Sequence, residues 1–497
     1  MTLQWPGDVK PLELPDFESQ ARKLRYQAIG RACRDYGIQS LLLGHHADDQ
    51  AETVLMRLAD GHTGSGLQGI RGSAEIPECW GIYGVHRSGA SEQRLAKKER
   101  KRSKESKKRR ASKARKGDGV DDENQKTLVD IEYGGIKIHR PLLGFNKEQL
   151  FATCLQYNTR WVEDHTNKDP TLTPRNAIRH LLKERSLPHA LRRSSLLAIS
   201  ENMRQKIADR AARVEKLFQL CQIITFDARS GGLVIRFPKR GMAGVRVSHA
   251  YLQQQLNRES YRAAGLLRRV IDLVTPLENV QLRDLESAVQ TIFPDLEDRP
   301  SNEVDRELQP ASCTVGGVHF RRLRLPLPPD EPAPELSSIL DRTFVWVVTR
   351  QPYATSRDLP RITVFPAPRD SLNKTPSPSQ TSTTEWSEWQ LFDGRFWIRV
   401  RNYTEDPIIV RPFEEQDLKL FRTSLSEQDE ARFDELLDLA APGKVRWTLP
   451  VLAREDGKVL AAVTLGIGLA ELKGEVVWEV RYKKIDLGEK GWGALVQ

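Results

Sequence analysis

Apolar residues Phe17, Ala21, Leu24, Ala28, Ile29, Ala32 and Cys33 recur at helical spacing and predict a helix over 17–36, whose other face carries Arg22, Lys23, Arg25, Arg31 and Arg34. Gly37 stops it. The run Leu41–Leu43 predicts a buried strand, and Ala47–Asp60 a second helix closed by Gly61. An αβα order implies crossovers, and hence an α/β fold with a parallel sheet covered on both faces. The pattern resumes with a strand over 136–142 and a helix over 147–157, and Pro174 fits the first turn of a further helix. Helical periodicity then covers 190–224, as one long helix or a broken pair, 261–274 and 281–293. A Pro-rich boundary spans most of 299–340, with a strand-like piece at 312–323. Beyond it, β-branched and aromatic residues predict strands at 344–349, 361–365, 389–401 and 476–483. No internal repeat is present.

Composition adjusts this picture in three places. The net charge of +10 comes from one run: Arg94–Lys116 holds 14 Lys or Arg against 2 Glu, so the remainder of the chain is slightly acidic. With almost nothing apolar to bury, residues 91–126 are expected to be a disordered insertion, and the Ser/Thr/Pro-rich stretch 367–388 a disordered loop. The basic run reads as an electrostatic tether for RNA, a nuclear localisation signal or an inert loop. Five scattered cysteines without a C-x-x-C pair argue against a disulfide framework, a zinc ribbon and thiol-based sulfur transfer, and are expected to be reduced and mostly buried. No membrane span, signal peptide or transit peptide is recognisable, which makes an intracellular protein the expectation.

The densest chemistry lies where the first strand meets the second helix, in GHHADDQAETVLMRLADGHTGSGLQGI, residues 44–70. Strand ends of open α/β sheets are where ligands bind. With Asp49 in the first helical turn, Glu52, Thr53 and Met56 share its face. Two adjacent carboxylates can hold an ammonium group, orient a nucleophile or support hydrated Mg²⁺. The bland alternative is that Asp48 and Asp49 merely cap the helix and favour its positive end. A zinc site from His45, His46 and Asp49 is weak, because adjacent residues after a strand point in opposite directions. Further along, Arg175 and Arg179 share one helix face near Asp164, Asn167 and Asp169, as a salt-bridged surface or a clamp for phosphate or carboxylate.

Taken with HRPLLGFNKEQL and WVEDHTNKDPTLTPRNAIRHLL, in that order, this stretch resembles the tRNA(Ile)-lysidine synthetase family of PP-loop ATP pyrophosphatases, over about Phe17–Leu182 apart from the basic insertion. The resemblance implies a truncated doubly wound parallel-sheet PP-loop domain over 1–185, a helical substrate-recognition domain over 190–300 and a β-rich tRNA-binding region over 312–497. It implies an ATP- and Mg²⁺-using ligase. The wobble cytidine of a CAU-anticodon isoleucine tRNA is adenylated at its C2 oxygen, and free L-lysine displaces AMP to give lysidine, so that AUA is read instead of AUG. Asp49 and Glu52 match the carboxylates that bind and deprotonate the lysine, and Arg25 and Arg179 match arginines that stabilise phosphate charge. His45, His46, Asp48, Thr53 and Arg140 match the strand-end side of the substrate site; Asp164, Asn167, Arg175 and Asn176 match the polar loop on its tRNA side. The expected setting is the mitochondrial matrix or the cytoplasm, without a membrane, and compatible with a homodimer.

One element of the family pattern is missing. The family begins with a strand and an SGGxDS phosphate loop, which nothing upstream of Phe17 supplies; Ser230–Gly232 lacks the following Asp-Ser. The expectation is a PP-loop domain without its N-terminal ATP half-site, and a catalytically inactive tRNA-binding homologue is the competing reading. A tRNA-thiolating PP-loop enzyme would need paired cysteines. If the basic run is an RNA tether, deleting 94–116 will weaken tRNA binding and flatten its dependence on salt, measured by filter binding across a salt series; an unchanged slope would assign the run to localisation or to an inert loop.

Overall fold

The computed structural model describes residues 17–89, 129–162, 171, 174–184, 187–238, 249–294, 311–324, 344–354, 358–367, 386–472 and 474–488. The basic insertion, most of the Ser/Thr/Pro loop, Asp164 and Asn167 lie outside them. In chain order the elements begin with α1 (Phe17–Asp35), β1 (Ser40–Leu42), α2 (Ala47–Ala59), β2 (Ser73–Glu75), β3 (Asp130–Ile131) and β4 (Lys137–His139). Then come α3 (Lys147–Gln156), α4 (Pro174–Glu184), α5 (Arg193–Leu220), β5 (Gln222–Asp227), β6 (Gly232–Arg236), α6 (His249–Val274) and α7 (Glu286–Ile292). The rest is strand-rich: β7 (Ser312–Val315), β8 (Val318–Arg324), β9 (Phe344–Arg350), β10 (Ile362–Val364), β11 (Gln390–Phe392), β12 (Phe396–Asn402) and β13 (Ile408–Pro412). The helices α8 (Glu415–Thr423) and α9 (Glu427–Ala440) precede β14 (Pro450–Ala453), β15 (Val459–Ala462), β16 (Ile467–Gly468) and β17 (Val476–Tyr482). Among the described residues no helix is long and apolar enough to cross a membrane.

The chain divides into two compact units, one of Met1–Cys79, Gly84–His86 and Gly135–Arg213, the other of Trp80–Tyr83, Arg87–Gly134 and Val214–Gln497. The first holds a three-stranded sheet of order β1-β4-β2, in which β1 runs parallel to β4 and β2 antiparallel to it. Helix α1 lies close on this layer: a Cβ on Gly30 would fall 2.5 Å from Val85 Cγ1, so glycine lets the helix approach the buried Ile76, Cys79 and Val85. The expected buried strand is a half-exposed edge instead. Because β1 pairs only with β4 among the described residues, Leu42 is 68% exposed. Helices α2, α4 and α5 pack a second small core from Ala51, Val54, Leu55 and Leu196, with Ile178, Leu181 and Leu182 against it.

The second unit is β-rich. Its sheets have the orders β5-β6-β9-β8-β7, β11-β12-β17-β3 and β10-β13-β14-β15-β16. Alternation sets the inward face of β12, where Phe396, Ile398 and Val400 are buried. Residues 190–300, expected to be helical, supply α5, α6 and α7 but also β5 and β6, which pair with each other and, through β6, with β9. All five cysteines are free; Cys33, Cys79 and Cys221 are buried and the other two partly so.

A charged knot fixes the second unit. Arg395 is fully buried and donates to Asp393 Oδ2 at 2.8 Å, Ser230 O at 2.7 Å and Thr448 O at 2.8 Å, while Arg350 donates twice to the same carboxylate. Burial alone would raise the Asp393 carboxyl, but the Arg395 charge and the Arg350 hydrogen bonds hold it below its ordinary value. Asp393 and Gly394 both have positive φ, as the tight turn between β11 and β12 requires, and a Cβ on Gly394 would lie 1.9 Å from Pro276 O. Arg395→Met removes one member of a buried network, so urea unfolding should show a loss of about 3 kcal/mol. A loss below about 1 kcal/mol would contradict a stabilising knot.

Candidate active site

Helix α2 presents the densest set of charges in the first unit, and its start explains their placement. The N-cap is His46, not Asp48 or Asp49: His46 Nδ1 accepts from the Asp49 N–H at 3.4 Å and Asp49 Oδ2 accepts from the His46 N–H at 3.0 Å. This is a reciprocal capping box with Asp49 at its third position. Asp49 and Glu52 then project from one helix face, as their spacing predicts. Thr53 shares the face, but its hydroxyl donates to Asp49 O at 2.8 Å, within the helix.

Opposite them stands α4. Arg175 donates from Nη2 to Asp49 Oδ1 at 2.6 Å and from Nε to Glu52 Oε2 at 2.9 Å. Arg179, one turn on, donates from Nε to Glu52 Oε1 at 2.7 Å and from Nη2 to Glu52 Oε2 at 3.1 Å. The two arginines, four residues apart, thus straddle a carboxylate whose residue is only 2% exposed. Hydrogen bonding to Glu52 raises the Arg179 guanidinium further above its ordinary value. Asp48 turns elsewhere: Arg193 Nη2 lies 2.7 Å from its Oδ1, and the Lys147 N–H donates to its Oδ2 at 2.7 Å. Three carboxylates of α2 therefore face three arginines of α4 and α5.

His45 belongs to the rim of this cluster. Burial lowers its pKa first, and the charges of Arg140, Arg175 and Arg22 add to that against the opposing Asp49. Arg140 Nε donates to His45 Nδ1 at 3.3 Å and Arg140 Nη1 to Arg71 O at 2.9 Å. Neutral His45 is thus an acceptor held by a cation. Asn176 is buried at the start of α4. Arg25 is exposed on α1 and has no hydrogen bond or ion pair among the described residues; from that helix it is Arg22 whose charge reaches His45.

Four residues of the site, Arg193, Gln50, Gly69 and Arg57, carry no signal in sequence spacing. Arg193 meets Asp48 across 145 positions of chain. Gln50, fully buried, donates to Ser200 Oγ at 2.6 Å and Gln68 O at 3.1 Å and accepts from the Ile70 N–H at 2.6 Å. Gly69, at φ +66, passes so close to Gln50 that a Cβ would sit 2.6 Å from its Nε2, which accounts for a glycine in this loop. Arg57 holds the same loop through Gly66 O and Gly69 O.

The donor set bears on ligands. No group of three or more His, Cys, Asp or Glu side chains able to hold a metal ion occurs among the described residues. The carboxylates face guanidinium groups, and the guanidinium groups are chemically suited to phosphate oxygens as well as to carboxylates.

The PP-loop domain family matches residues 2–93 and 125–186, the part of the chain that carries this site. The chain is 24% identical over 470 residues to the probable tRNA(Ile)-lysidine synthase of Schizosaccharomyces pombe, covering 94% of this chain and 77% of that one. It is 28% identical over 171 residues to the tRNA(Ile)-lysidine synthase of Anaplasma marginale, and 46% identical over 66 residues to that of Bordetella parapertussis. Those matches span 24% and 18% of the bacterial proteins. The chain thus carries a PP-loop domain and is similar, over nearly its whole length, to a probable tRNA(Ile)-lysidine synthase.

Proposed function

We propose that this chain ligates free L-lysine to C2 of the wobble cytidine of a CAU-anticodon isoleucine tRNA, by way of an adenylated tRNA. The observation that carries the reading is the carboxylate pair Asp49 and Glu52 on one face of α2. An ionised carboxylate offers about four acceptor positions. Asp49 uses one for the His46 N–H and one for Arg175, so it retains capacity for an ammonium group and for the proton that the attacking amine must lose. Glu52 accepts three hydrogen bonds from the two arginines and acts mainly to hold them.

ATP supplies the adenylyl group that makes the C2 oxygen a leaving group. Arg175 and Arg179, 31% and 24% exposed at their side chains, are the residues suited to hold its phosphates and to spread the charge of departing pyrophosphate. Mg²⁺ would enter with the phosphates and water rather than in a protein cage. His45, kept neutral and oriented by Arg140, is a hydrogen-bonding group beside the carboxylates rather than a further cation.

The test is transfer of labelled lysine to a CAU-anticodon transcript by the full chain with ATP and Mg²⁺. The reading predicts lysine incorporation with one AMP released per lysine. ATP-independent tRNA binding without transfer would replace it with that of an inactive tRNA-binding homologue.

A further inference from the structure

The proposed function uses Asp49 and Glu52, yet the acidic residue with the most distant partners in the site is Asp48. Its carboxylate gathers three helix starts: its own α2, the first residue of α3 through the Lys147 N–H, and the first residue of α5 through Arg193. The α2 start is tied to the same segment a second time, by the Ala47 N–H donating to Phe145 O at 2.8 Å. Further along α5, Leu196 is fully buried in the core shared with α2, and Ser200 accepts from Gln50. Arg193, Leu196 and Ser200 lie at spacings of three and four, so one face of α5 grips α2 by a charge, an apolar plug and a hydroxyl.

Asp48 Oδ2 accepts from the Lys147 N–H, while the buried Oδ1 has no hydrogen-bond donor and is matched only by the charge of Arg193, whose Nη2 lies 2.7 Å away; Asp49 is the carboxylate turned toward α4. The two side chains diverge from adjacent positions, and what fixes the rotation of the first turn of α2 is the partner that holds Asp48. We propose that Arg193 is a positioning residue for the lysine site: by holding Asp48 it sets the angle at which Asp49 and the His46 cap face the incoming amine. This rests on the proposed lysine ligation for its kinetic consequence, but not for its structural one. Loss of Arg193 leaves the charge of Asp48, 15% exposed at its side chain, with the Lys147 N–H alone and 3.5 Å from His46 Nδ1, where an unmatched anion repels the accepting nitrogen of the cap. The cap hydrogen bond to the Asp49 N–H then weakens.

Arg193→Met, Arg193→Lys, Asp48→Asn and the Asp48→Asn/Arg193→Met double variant test this in the full chain. The expected result is a rise of roughly tenfold or more in KM for lysine with Arg193→Met, because small misplacements of a reacting group are costly, while KM for ATP is unchanged. Arg193→Lys should restore most of the loss, and the double variant should be no worse than the worse single one, since both remove the same pair. Amide hydrogen exchange gives a readout independent of activity: faster exchange confined to residues 46–49. Exchange that rises along the whole of α2, or equal losses in every kinetic constant, would mean a merely structural tie and would overturn the proposal; so would wild-type exchange and KM. If the wild-type chain transfers no lysine, ligation fails by itself, and the exchange pattern at 46–49 still decides whether Arg193 positions the cap.

Discussion

Everything at this site depends on a buried carboxylate that has to be matched. Glu52 is taken almost wholly out of water, and an unpaired charge there would cost several kcal/mol. Arg175 and Arg179 meet it from α4 and, in doing so, fix the separation and rotation of α2 and α4 over the Ala51, Val54 and Leu55 core. Apolar packing brings the helices together without direction; the three hydrogen bonds to Glu52 supply the direction. The same constraint makes the site dual in character, because the guanidinium groups that neutralise Glu52 are the cations a phosphate would meet.

The β-rich unit solves a related problem in a different way. There the buried charges are not arranged around a ligand but tie turns together: Arg395 reaches backbone carbonyls at Ser230 and Thr448, and Asp393 binds two arginines. Every polar group named in that knot has a protein partner, so it reads as a fastening. The α2 cluster differs because Asp49 keeps acceptor capacity on a face that is still partly open. That difference, rather than the count of charges, is why one cluster is assigned to chemistry and the other to stability.

Much of the first unit could be read from residue spacing. Helices α1 and α2 follow the apolar periodicity closely, and the shared face of Asp49 and Glu52 is a consequence of helical geometry alone. The pairing of that face with Arg175 and Arg179, across more than 120 residues, is a tertiary fact that spacing does not encode. The helix cap fell to His46 because an imidazole nitrogen can do what a carboxylate commonly does at that position. β1 was expected to be buried from its leucines alone, yet burial depends on neighbours in the sheet. In the second unit, β14 and β15 are buried on both faces and show no alternation. Those strands escaped a reading based on periodicity for that reason.

The central claim is that Asp49 serves the lysine and not the nucleotide. Separating the two half-reactions in Asp49→Asn measures it directly, with transfer of labelled AMP from ATP to the tRNA as one readout and its displacement by lysine as the other. The account predicts that the adenylated tRNA still forms and that lysine displaces AMP at least tenfold more slowly, or only at much higher lysine concentration. Loss of adenylation with lysine transfer unaffected from a preformed adenylated tRNA would contradict it.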